Sequence, residues 1–270
     1  MVMTAHFDES GTHGAEATNT VVAGFLGDVD QWGTYETDLA ALLSEFDIKR
    51  FHAKKYRAKQ GEFAGWEKEK RSSFACRFFP LIDRYLALGI SAGFRRDDYA
   101  SFYRNPAPAR GIRLDSEYGL CFRVCLLWAI SFLTSKRTEW PLNIVMEQGH
   151  KNAGGAVEIF NEVTEALNGT QFAGLLGSIS FSSKDMCLSL AMADALAHGV
   201  YRSDSAQGSL RNTIVPTDYK EVRIQNLKLD QPALASLREL AIRKEVLPAT
   251  FSIESKNQSL VGERPFLSGA

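Results

Sequence analysis

Three acidic residues stand where an apolar core leaves little room for charge. Asp8 follows the run VMTAHF, Glu147 follows LNIVM, and Asp194 is the only charged residue between Met186 and Ala197. A carboxylate in such surroundings is costly unless it is paired, protonated or bound to a cation. Any one of these acids alone reads most simply as a helix cap or an edge residue. Three of them, at two strand ends and on a late helix, point to one shared site, because sites form at the strand ends of α/β sheets. Converging carboxylates repel one another unless cations neutralise them. Oxygen-only ligands suit Mg2+ or Mn2+ rather than zinc. Two such ions about 3.5–4 Å apart would activate a water and stabilise the leaving oxygen of a phosphodiester.

Several neighbours of these acids are secondary candidates. Glu9 adjoins Asp8, but in an extended strand the two side chains face opposite sides of the sheet, so Asp8 is preferred as ligand and Glu9 comes second. Ser10 and Gly11 shape a turn, and Ser10 lacks the Gly-x-Ser-x-Gly elbow of a nucleophile. Asp185 precedes the last core helix and reads first as its N-cap, second as a further metal ligand. Lys184 beside it is either a phosphate contact or a solvated lysine. His150 follows Glu147 in a Glu-x-x-His spacing, but a strand precedes and Gly149 intervenes. A helical di-iron pair is therefore disfavoured, and His150 reads as a residue that supports the site or touches substrate. His198 lies one helical turn after Asp194 and is equally a hydrogen-bond partner for it or a surface histidine.

A basic run, KRFHAKKYRAK at residues 49–59, carries His52, Lys54 and Lys55 with no intervening acid. Such runs are usually solvated surface. Beside an acidic centre this one also suits contact with a phosphate backbone, with Phe51 and Tyr56 as candidate base-stacking rings or as core.

The elements that must position these residues follow from periodicity. Strands are expected at 2–8, 20–26, 88–94, 142–147 and 174–181. Helices are expected at 30–46, capped by Asp28 or Asp30, and at 67–88, kinked at Pro80 and ended by Gly89. Others are expected at 115–136, 153–167, 186–200 and 231–244, with a loop at 203–218. The 115–136 helix is apolar over most of its circumference, which marks a central one. Paired strands followed by alternating α/β units predict a mixed sheet with helices on both faces. The expected organisation is a single domain over 1–270, with a helical and basic insertion at about 29–87 and a C-terminal extension at about 203–270.

A hydrophobic content of 45% and a charged content of 23% are those of a globular chain with a full core. The net charge of −1 excludes a wholly cationic nucleic-acid clamp, so any such contact must come from a local patch. No apolar run reaches the ~20 residues of a bilayer span. The opening residues lack a basic segment followed by a long apolar one. The expectation is a cytoplasmic protein with no membrane partner. The four cysteines contain no Cys-x-x-Cys pair and are read as reduced thiols, with Cys121 and Cys125 inside the apolar helix.

Read together, these segments resemble domain-of-unknown-function family 3800. The residues that carry the likeness are Asp8-Glu9-Ser10-Gly11, Phe51-His52-Ala53-Lys54, Glu147-Gln148-Gly149-His150-Lys151-Asn152, Ser183-Lys184 and Ala193-Asp194-Ala195-Leu196-Ala197. One departure is Ala191, where the family often has glutamine three residues before the helix aspartate. The resemblance implies a ribonuclease H-like fold and a metal-dependent nuclease site in which Asp8 bridges the metals and Glu147 and Asp194 complete the set. The function expected is hydrolysis of DNA or RNA with Mg2+ or Mn2+. Two alternatives stand beside it: a non-catalytic nucleic-acid- or partner-binding protein of a defence or mobile-element system, and a metal hydrolase of small phosphoesters.

Overall fold

The computed structural model describes residues 1–12, 16–136, 140–149, 153–205 and 223–246. Six strands form one sheet in the order β5-β4-β1-β2-β3-β6. They are β1 (Met3–Ser10), β2 (Asn19–Asp28), β3 (Leu88–Arg95), β4 (Leu142–Glu147), β5 (Leu176–Ser182) and β6 (Arg223–Lys228). The pairs β1–β2 and β2–β3 are antiparallel, whereas β1–β4, β4–β5 and β3–β6 are parallel. The fold is α/β with a mixed sheet, compatible with the ribonuclease H-like type.

The sheet is covered on both faces, and the sequence of its central strand reflects this. Every residue of β2 is buried, as a near-continuous apolar run requires. On one face, Met3, Ala5 and Phe7 of β1 join Val22 and Leu26 of β2 against the apolar helix α5 (Glu117–Ser135). The helix α6 (Ala153–Asn168) packs on that same core through Ile159, Phe160 and Val163. α5 is long and apolar enough to cross a bilayer, but it is the buried central helix of this core. Its thiols Cys121 and Cys125 are buried and point at the carbonyls of Thr20 and Val22.

On the opposite face, Val21, Ala23 and Phe25 meet α7 (Leu190–Ser205) and the insertion helices. These are α1 (Val29–Glu45), α2 (Ala53–Ala58) and α3 (Lys68–Tyr85). Asp28 caps α1 through a full capping box with Gln31. Alternation along β1 turns His6 and Asp8 to this face, where His6 meets the edge of Trp32 at 4.3 Å. Phe51, Phe63, Phe74 and Phe78 form the aromatic part of this same core within the insertion. Phe51 and Tyr56 are therefore core residues and not base-stacking platforms: Phe51 is 1% exposed, with its ring 4.3 Å from that of Phe78.

Three expectations change. α3 ends at Tyr85, before Gly89, because Leu86 turns extended and Ala87 N–H donates to Leu26 O as the chain enters the sheet. α7 begins at Leu190, and residues 183–189 form turns ahead of it. Beyond α7, β6 adds an unanticipated edge strand beside β3, followed by the expected helix, α8 (Gln231–Arg243). A single helical turn, α4 (Arg96–Asp98), leads into a π-helical segment at Tyr99–Arg104.

Candidate active site: three carboxylates around one ammonium

Register builds the site. Phe7 of β1 lies beside Met146 of β4, so Asp8 and Glu147 emerge next to each other at the same end of two parallel strands. Glu147 is also paired with Ser182, and Gln148 N–H donates to Ser182 O at 2.9 Å. This pairing brings Lys184, two residues past β5, over the pair of acids. Gly11 permits the turn that follows Asp8 and Glu9: its φ is +79°, and a Cβ there would meet Asn19 O at 2.1 Å and the Tyr201 ring at 2.5 Å. The third acid arrives on α7, whose buried Ala191 and Ala195 let it lie close against β2. The start of α7 is held by Glu36 of α1, which accepts from Ser189 N–H and from its hydroxyl at 2.7 Å.

Asp8, Glu147 and Asp194 do converge, and a cation lies among them. It is the ammonium of Lys184, with Nζ 2.8 Å from Asp8 Oδ2, 2.8 Å from Glu147 Oε2 and 3.5 Å from Asp194 Oδ1. The Lys184 side chain is only 9% exposed. It is neither a solvated lysine nor free for a phosphate in this arrangement. Asp194 is further held from the insertion: its Oδ2 accepts from Ala53 N–H at 2.6 Å and lies 3.3 Å from His52 Nδ1. The basic segment therefore touches the site through its helix start, with His52 and Ala53 as the contact and Lys54 and Lys55 exposed beyond it.

The electrostatics record a surplus of negative charge. Burial pushes the Asp8 carboxyl well above its ordinary value; Lys184 opposes this, and Asp194 and Glu147 add to it. Glu9 is raised to about 7, first by burial and then by the charge of Glu147. Burial would raise Asp194 too, but His52 at 3.3 Å, the charge of Lys184 and the hydrogen bond from Ala53 N–H hold it below the ordinary range. Lys184 is held above its ordinary value, because the three carboxylates outweigh its burial. His198, half-buried on α7 one turn past Asp194, is lowered to about 4 by burial, and no hydrogen bond to Asp194 forms.

Of the remaining candidates, Asp185 does not cap α7. It lies five residues before α7 and takes both oxygens to Arg50 Nη1, at 2.6 and 2.7 Å, on the exposed surface. His150 lies outside the described residues, as do Lys151 and Asn152. The sequence reading missed Lys184 as the centre of the cluster; its one signal was its place between β5 and the Asp194 helix.

Among the described residues, no acids, histidines or cysteines are arranged as a preformed metal cage. The donor set nevertheless fits a hard divalent ion, since it is oxygen-only and one ammonium leaves it short of positive charge. No family model matches the chain, and no curated protein matches it.

Proposed function

We propose that this protein is a metal-dependent phosphodiesterase that hydrolyses DNA or RNA. One observation carries the reading: three carboxylates from β1, β4 and α7 meet at one buried end of the sheet. Asp8, Glu147 and Asp194 would hold Mg2+ or Mn2+. Such an ion, when bound, supplies charge that activates water and offsets the oxygens of a phosphate. His52 and Ala53 N–H fix one oxygen of Asp194 and leave the other facing the centre. Lys184 holds the three acids together and places a positive charge where a phosphodiester must approach. Glu9, raised to about 7, can hold or release a proton close to neutral pH beside Asp8. Lys54 and Lys55 stand exposed on α2 to meet a sugar-phosphate backbone. The resemblance to family 3800 supports the same type of site.

The test is cleavage of end-labelled single- and double-stranded DNA and RNA by the stripped protein, with and without Mn2+. Metal-dependent cleavage that disappears in Asp8→Asn is expected. Cleavage that survives both chelator and this substitution would overturn the reading. Lys184 itself favours a second reading, a non-catalytic nucleic-acid-binding protein whose acidic cluster is closed by its own lysine. Tight nucleic-acid binding with no turnover in any divalent metal would select it.

A further inference from the structure

A line of nitrogen-bearing side chains leads away from the carboxylate centre. Asp194, His198 and Arg202 follow one another at intervals of four along α7, about 6 Å per step. Ala53 and Arg57 keep the same interval on α2, and Ala53 N–H is already bonded to Asp194. The two helices thus run side by side from the acid outward. His198 is within electrostatic reach of Asp194, Arg57, Arg202 and His52. Arg57 and Arg202 also feel each other's charge.

These guanidinium groups lack what such groups usually have. Among the described residues no carboxylate forms an ion pair with Arg57 or Arg202, although seven other arginines among them have one. Arg202 Nε and His198 Nε2 are buried with no hydrogen-bond partner among those residues. Two like charges beside two unsatisfied buried nitrogens are unfavourable unless an anion completes them. Guanidinium forks match the oxygens of a phosphate.

We propose that Arg57, His198 and Arg202 form a phosphate-binding site next to the carboxylate centre. Anion binding there stands independently of any hydrolysis. Where the proposed hydrolysis also holds, the substrate must carry a second phosphate one to two helical turns from the reacting one. That describes a polynucleotide and not a single phosphoester.

The experiment is calorimetric titration of inorganic phosphate into the full chain, in chelator and at constant ionic strength set with chloride. The parent and Asp8→Asn are expected to bind phosphate saturably. Arg57→Gln and Arg202→Gln are each expected to bind at least about tenfold more weakly, the loss of one charge-assisted hydrogen bond. Arg57→Lys and Arg202→Lys, which keep charge and fold, should fall between. No saturable binding by the parent would overturn the proposal. So would equal binding by parent and glutamine variants, or the same weakening in Lys54→Ala, which would show only general surface charge. Failure of cleavage with phosphate binding intact would instead count against the hydrolytic reading alone.

Discussion

Replacing Lys184 with methionine isolates the charge that holds the site together. The ammonium has two carboxylate oxygens at 2.8 Å and a third at 3.5 Å. Side-chain exposure is 9% for Lys184, 2% for Asp8 and 9% for Asp194, so little solvent screens these pairs. Methionine keeps much of the stem's bulk and removes the charge. Breaking a buried ion pair while its partners stay charged costs about 3–5 kcal/mol. Glu147, at 29% exposure, can take up water and soften the loss. Lys184→Met should therefore lower unfolding stability by about 3–5 kcal/mol at pH 7.5 in chelator, measured by urea titration with unchanged m. The double variant with Asp8→Asn should lose less than Lys184→Met alone, because it removes one stranded carboxylate. Saturating Mn2+ should restore most of the loss, and Lys184→Met should bind Mn2+ more tightly than the parent, since a competing cation has gone. A Lys184→Met protein within about 0.5 kcal/mol of the parent in chelator would refute the reasoning.

Further consequences concern Glu9, the insertion core and the basic segment. Glu9 is raised from an ordinary 4.5 to about 7. Between those values the folded state binds more protons than the unfolded one, so Glu9 subtracts stability as pH rises through that window. His6 and His198, lowered by burial to about 3 and about 4, tilt the parent's own profile the other way. The difference between parent and Glu9→Gln is thus the quantity to read. The variant should gain relative stability from pH 4.5 to pH 7, by up to about 3 kcal/mol, and none above; a difference independent of pH would contradict this. Phe51→Ala should cost about 3–5 kcal/mol in urea unfolding as a fully buried ring is deleted; a cost below about 1 kcal/mol would mean the ring is not core. Lys54→Ala should weaken nucleic-acid binding and flatten its salt dependence, and an unchanged slope would remove α2 from that surface.

The three acids were legible because each interrupts an apolar run, where a charge needs a reason. Their convergence follows from strand register, and the sheet order places β1 between β2 and β4 as a mixed α/β fold requires. Lys184 was not legible as their partner. It lies in a polar turn, SSKD, where nothing local marks a lysine as buried, and its partners Asp8 and Glu147 are remote in sequence. Asp185 looked like a cap because its helix was placed too early; the true start is Leu190. Phe51 and Tyr56 sit within a basic run whose charged side chains face outward while its two rings face in, and composition alone hides that split. β6 escaped notice because RIQNLK is short and half polar, and its place is set by pairing with β3, more than a hundred residues earlier.

The central claim is that Asp8, Glu147 and Asp194 form one site for a divalent cation, held by Lys184 until that cation binds. The most direct measurement is calorimetric titration of Mn2+ into metal-stripped parent protein, with Asp8→Asn and Asp194→Asn alongside. Saturable binding in the parent, lost or weakened at least about tenfold in both variants, is the predicted result. Binding of equal strength in all three proteins, or saturable binding in none, would contradict the claim.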